Sequence, residues 1–189
     1  MYKNRKRCPW SISDPLYIKY HDEEWGVPIH NDKRLFEFLI LEGAQAGLSW
    51  LTVLKKRKNY RSAFDGFDYK KVAKYSDNKI DMLLHDSGII RNKLKVNSTV
   101  NNAKKFINIQ KEFGSFDSYI WQFVNGKQIK NKLDSIAQIP THTYESDTMS
   151  KDLLKRGFKF VGTTICYSYM QATGMVNDHI TSCFRYKKL

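Results

Sequence analysis

A chain of 189 residues with 41% hydrophobic and 14% aromatic residues against 27% charged ones can fill a real core, and this composition excludes a disordered polymer. The formal charge of +13 is large for the size and points to a polyanionic partner, nucleic acid first, although solubility charge in a Lys-favouring chain has the same sign. Three cysteines that cannot pair evenly, no apolar leader in Met1 to Arg7, and a longest apolar region (Leu35 to Leu54) interrupted by Glu37, Glu42, Gly43 and Gly47 lead us to expect a cytoplasmic monomer with no membrane span.

Strand signals are scarce and helix punctuation recurs, so the expected class is all-α in a single domain over 1–189. Asp32 is expected to cap a helix running to about Gly43, and Ser49 to cap the next, whose last turn holds Lys55, Lys56 and Arg57. Asp77 opens a third, with Ile80, Leu83 and Leu84 on one face and Gly88 as its stop. A long fourth helix runs from about Asn92 to Phe113 on a Val96, Val100, Ala103, Ile107 stripe, and Gly114 ends it. Ser115 or Asp117 opens a fifth, closed by Gly126. Lys127 to Glu145 has no sustained period and contains Pro140, which reads as a long loop. Met149, Leu153 and Leu154 mark a helix ending at Gly157, and Thr163 to Thr173 form the last.

Three features carry chemistry. His179 and Cys183 are four apart, a spacing that puts both ligating atoms on one side of a helical turn, and Cys8 and His21 supply two more zinc-type ligands near the other end of the chain. A closed Cys2His2 set leaves no position for water, so such a site is structural and staples the segments 8–21 and 179–183 together. Cys166 lies among apolar neighbours and reads as core. In the Asp32 helix the stripe Leu35, Phe38, Leu39 continues to Glu42 and Ala46, which turns a carboxylate toward the interior, where it must be paired, protonated or facing a polar cavity. Tyr17, Tyr20, Trp25 and Trp50 flank that helix in sequence and make a slot for a flat, electron-poor ring. Finally, Gly88, Ile89, Ile90 and Arg91 form a tight turn between two helices (about 80–107), where free backbone amides and the charges of Arg91, Lys93 and Lys95 would suit a phosphate. From Ile89 to Lys132 there are nine Lys or Arg against two acids, more than half of the net excess.

At these residues the chain resembles the 3-methyladenine DNA glycosylase I family, a branch of the helix-hairpin-helix glycosylases. The segments concerned are Asp14 to Tyr17, Tyr20 to Pro28, Leu41 to Trp50, Gly88 to Arg91, Lys155 to Ser168 and Val176 to His179, so the likeness spans nearly the whole chain. It implies a two-lobed helix-hairpin-helix fold, a hairpin that grips duplex DNA, and a structural zinc on Cys8, His21, His179 and Cys183. The resemblance also implies that Glu42 and Tyr20 hydrogen-bond the methylated adenine while Trp50 stacks on it, and that Gly47-Leu48 is the wedge filling the gap left by a flipped nucleotide. Departures at the ends, the basic Tyr2 to Arg7 and a Lys-rich tail, touch no matched functional position.

Many helix-hairpin-helix glycosylases carry a catalytic Asp after the hairpin, yet Ile89 to Lys111 contains no acid. The chemistry tolerates this, because 3-methylation makes the base a cation that departs as a neutral molecule. Glu42 is therefore expected to recognise the base electrostatically and to be the one candidate for a catalytic role, and no lysine suggests a Schiff base or lyase activity. A zinc-stapled nucleic-acid-binding module without catalysis would account for the charge, the hairpin and the metal set, but leaves Glu42 unexplained.

Overall fold

Ten consecutive residues of one helix, Leu35 to Ala44, are buried, and four other helices pack against it. The computed structural model describes residues 5–189; Met1 to Asn4, part of the basic N-terminal departure, lie outside the described residues. In chain order the helices are α1 (Pro15–Glu23), α2 (Asp32–Gln45), α3 (Trp50–Ala63), α4 (Tyr69–Val72), α5 (Asp77–His85), α6 (Lys93–Phe113), α7 (Phe116–Ile120), α8 (Tyr144–Lys155) and α9 (Thr163–Ala172). Two two-residue strands, β1 (Ile129–Lys130) and β2 (Val176–Asn177), pair in parallel with Ile129 opposite Val176. The protein is thus mostly helical, as expected. Among the described residues no helix is long and apolar enough to cross a membrane.

The buried helix is α2, which packs against α3, α6, α7 and α9. Its sequence suggests one apolar stripe, but a helix enclosed on every side buries its polar positions too, so Glu37 is interior along with Glu42. Several helix ends follow local chemistry. Ser49 accepts from the Thr52 N–H at the start of α3, Asn92 accepts from Lys95 N–H at the start of α6, and Gly114, at φ +83°, ends α6 in a conformation that suits glycine.

Other expectations are corrected by neighbours. The caps of α2 and α5 are Asn31 and Ser76, each one residue before the predicted acid. Asp32 instead accepts from the N–H groups of Phe116 and Asp117, both at 2.9 Å, and so completes the N-terminus of α7 from across the fold. Helix α5 stops at His85, before Gly88, and the buried stripe of α6 continues to Phe106 rather than Ile107. The expected loop from Lys127 to Glu145 contains β1, and α8 begins inside it at Tyr144. Helix α1 was not anticipated; Asp14 caps it and Pro15 occupies its first position. The two ends of the chain meet, with the Phe184 N–H on the Lys6 carbonyl oxygen at 2.9 Å.

Candidate active site and metal centre

Two buried acids on α2 show the difference between a structural and an available carboxylate. Glu37 accepts from Arg57 Nε at 2.7 Å and pairs with Arg61 at 2.7 Å, the ordinary fate of an interior acid. Glu42 is 3% exposed, and no described residue makes a hydrogen bond or ion pair with it. Burial pushes its carboxyl up to about 8, with the Arg57 guanidinium pulling in the opposite direction. Its carboxyl faces a cleft of about 220 Å³ walled by the aromatic rings of Trp10, Tyr17, Tyr20, Trp25 and Trp50.

Each wall has a local origin. Tyr17 and Tyr20 lie on α1, and the Tyr17 hydroxyl accepts from the Leu51 N–H at 3.0 Å, which ties α1 to the first turn of α3. Trp50 opens α3 immediately after the Ser49 cap, with its ring 5.4 Å from that of Tyr20 at an angle of 54°. Trp10 stands edge-on to both Trp25 (5.0 Å) and Tyr17 (5.5 Å). The indole Nε1 of Trp50 is buried without an acceptor, and burial with the nearby Glu42 charge raises the Tyr20 hydroxyl well above its ordinary value. Buried polar groups are normally satisfied, so a Glu42 carboxyl without a partner beside this cleft stands apart from the paired Glu37.

A second cleft of about 250 Å³ shares Glu42, Gln45 and Ser168 with the first and extends to Gly47, Leu48 and Thr164. Trp10, Gln45, Ser168 and Gln171 were missed by the sequence reading. Helical spacing could have found three of them: Gln45 is one turn beyond Glu42 on α2, and Ser168 and Gln171 share a face of α9. Trp10 lies two residues after a candidate metal ligand, which was a weaker signal.

The four candidate metal ligands converge. The ligating atoms of Cys8, His21, His179 and Cys183 all lie within 4.8 Å of one another, and all four residues are buried. Cys8 Sγ and Cys183 Sγ each lie 3.6 Å from His179 Nδ1, and Cys183 Sγ lies 3.4 Å from His21 Nε2. A tetrahedral zinc with bonds of about 2.3 Å to sulfur and about 2.1 Å to nitrogen would separate S and N by about 3.6 Å, so the set fits such an ion. The outward nitrogens are also occupied: His21 Nδ1 faces the Asp22 carboxylate at 2.8 Å, and His179 Nε2 donates to the Trp25 carbonyl at 3.0 Å. Those partners direct the inward nitrogens, His21 Nε2 and His179 Nδ1, toward the two sulfurs, although His21 Nε2 also accepts from the Cys8 N–H at 3.4 Å. His179 and Cys183 are brought together by a turn, with the Cys183 N–H on Ile180 O at 2.8 Å, and not by the helix their spacing suggested.

At the hairpin, three of the amides expected to face a phosphate are used within the protein. The N–H of Gly88 donates to Asp86 Oδ1 (2.7 Å), that of Ile89 to Asp86 O (3.3 Å) and that of Ile90 to the Tyr60 hydroxyl (3.3 Å); the Ile89 side chain is buried. Among the described residues no acceptor is recorded for the N–H groups of Arg91, Lys93 and Leu94, and the Arg91 and Lys93 side chains are exposed. The amides and cations left open at this hairpin therefore lie at the start of α6, not in the turn. Lys95 does not belong to it. Its Nζ turns inward and donates to the carbonyl oxygens of Ala44 and Ala46.

Comparison with known proteins matches residues 10–186 to the methyladenine glycosylase family model. The chain is 50% identical over 181 residues to DNA-3-methyladenine glycosylase 1 of Escherichia coli strain K12, covering 96% of this chain and 97% of that protein. Its fold is similar to the crystal structure of a 3-methyladenine DNA glycosylase I at a TM-score of 0.92 and 51% identity, covering 95% of this chain and 98% of the other. A 3-methyladenine DNA glycosylase I from Staphylococcus aureus, solved for the basis of its 3-methyladenine recognition, superposes with a TM-score of 0.91 at 36% identity, covering 94% and 95%.

Proposed function

Because the chain belongs to the methyladenine glycosylase family, we propose that it excises 3-methyladenine from alkylated duplex DNA, hydrolysing the N-glycosidic bond and leaving an abasic site. The observation that carries the site assignment is Glu42: an unpartnered, buried carboxyl facing an aromatic cleft. A nucleotide methylated at N3 carries a cationic base. Its arrival brings a positive charge to Glu42, which favours the ionised carboxylate over the protonated form that burial alone favours. Tyr20 supplies a hydroxyl and Trp50 a stacking face, with Tyr17 and Trp25 closing the slot.

In the reaction, water adds to C1′ while the C1′–N9 bond breaks. The bonding electron pair neutralises the departing base, and the water proton leaves to solvent. No general acid is required. Extrusion is cheapest for a damaged base and stacking returns about 1–3 kcal/mol per base, so selectivity can rest on the cleft.

Arg91 and Lys93 hold the DNA backbone at the start of α6, with Gly88, Ile89 and Ile90 shaping the turn, and Gly47-Leu48 enters the gap left by the flipped nucleotide. Zinc occupies the Cys8, His21, His179, Cys183 set as a structural ion. The chain acts as a single two-lobed domain and a monomer, and cysteines that form no disulfide suit the reducing cytoplasm. A non-catalytic binding module has no use for Glu42. The deciding assay is release of free 3-methyladenine from methylated duplex by the purified protein, beside Glu42→Gln: release by wild type with loss in the variant is expected, and no release by wild type overturns the reading.

A further inference from the structure

Lys95 lies in the first turn of α6, where the positive end of the helix dipole is unfavourable to a cation and Asn92 already caps the Lys95 amide at 3.0 Å. Its side chain crosses instead to the C-terminal end of α2, donating from Nζ to Ala44 O at 2.8 Å and to Ala46 O at 2.6 Å. Helical hydrogen bonding has run out there, and an ammonium complements both the orphan carbonyls and the negative end of the dipole. Desolvation lowers the Lys95 ammonium from its ordinary value, in keeping with this enclosed position.

The bond to Ala46 O reaches into the turn between α2 and α3. Ala46 at φ −45°, ψ 118° and Gly47 at φ +75°, with the Leu48 N–H on Gln45 O at 2.7 Å, form a type II turn. Gly47 at the third position favours the type II form but also tolerates type I, which would place the Ala46 carbonyl on the opposite face. A donor held against Ala46 O adds to the preference of the glycine, and because the peptide is planar it also directs the Gly47 N–H to the other side.

We propose that Lys95 is a positioning residue for base extrusion: its ammonium locks the Ala46–Gly47 peptide in the type II orientation and so presents Leu48, 43% exposed, at the mouth of the cleft. The proposal rests on the reading of Gly47-Leu48 as the DNA wedge. It removes Lys95 from the phosphate contacts and gives it a task in the step between duplex binding and chemistry.

The test compares the full chain with Lys95→Met and Lys95→Arg. In single-turnover release of 3-methyladenine from methylated duplex, Lys95→Met is expected to lower the plateau rate about tenfold or more, and Lys95→Arg to restore most of it. Affinity for free 3-methyladenine and the salt dependence of duplex binding should stay unchanged in both. Hydrogen exchange at the Leu48 amide should quicken in Lys95→Met alone. An unchanged plateau rate, a salt slope reduced by about one phosphate's worth, or free-base affinity lost equally in both variants would each overturn the proposal. The first makes the lock dispensable, the second makes Lys95 a phosphate contact, and the third makes it a support for α2. A wild-type chain that releases no base would overturn the proposed function by itself; the exchange comparison, which needs no activity, would still decide the lock, and unchanged Leu48 exchange would refute it.

Discussion

His179 Nε2 donates to the Trp25 carbonyl oxygen at 3.0 Å, so one hydrogen bond joins the candidate metal centre to the aromatic wall of the cleft. Other links run along the chain. Cys8 is two residues from Trp10, and His21 directly follows Tyr20, so the groups that would bind the ion also set the position of the rings around Glu42.

Removing the metal should therefore do more than loosen the termini. Chelation or Cys183→Ser is expected to lower the melting temperature, since structural zinc can contribute on the order of 10 kcal/mol in small domains, and to weaken binding of free 3-methyladenine as Trp10 and Tyr20 lose their anchor. Metal analysis of native protein, melts and base titration check this. Native protein without stoichiometric metal, or a chelated form that melts like the untreated protein, would refute the structural ion.

Glu42→Gln should trade activity for stability. The folded-state value of Glu42 is raised to about 8 from an ordinary 4.5, so its contribution to stability is fully present below about 4.5 and is lost as pH rises through about 8. Glutamine has no charge to bury. The variant should match wild type near pH 4.5 and exceed it by on the order of 2 kcal/mol near pH 8, while excision falls about tenfold or more. Denaturant titrations at the two pH values, with base-release assays alongside, measure both effects; a constant stability difference would remove the buried-carboxyl account.

Arg91→Ala or Lys93→Ala should weaken binding to damaged and undamaged duplexes alike. Each lost phosphate contact reduces the slope of log K against log salt by about 0.9. Preference for methylated DNA should survive. Salt titrations with an intact slope in both variants would move the DNA face away from the start of α6.

Gly47→Ala introduces a side chain at φ +75°, where a Cβ meets no atom within 4 Å, so its cost is conformational rather than steric. About 1–2 kcal/mol of strain would favour a different turn. Base release from duplex should drop while free 3-methyladenine binds normally. Equal losses in both assays would show that the turn supports the cleft itself and has no separate role in extrusion.

Features set by contacts a few residues apart were legible in the chain. The Ser49 cap and the Gly114 stop are local chemistry, because a side chain reaches an amide two or three positions away whatever the rest of the fold does. The metal ligand types and the inward-turned Glu42 were visible for the same reason: residue identity and helical spacing are properties of the sequence itself. Where a long side chain ends is a different matter. Lys95 read as one more surface cation until α6 packed beside the end of α2 and brought two carbonyls within its reach, and Asp32 read as a cap for its own helix until α7 arrived above it. The amides of Gly88 and Ile89 were taken by Asp86 and that of Ile90 by the hydroxyl of Tyr60, thirty residues away. Glu37 and Glu42 are both buried acids of one helix, and only the tertiary structure gave arginines to the first and an aromatic cleft to the second, because a charge buried in a low-dielectric interior is governed by what stands opposite it in space.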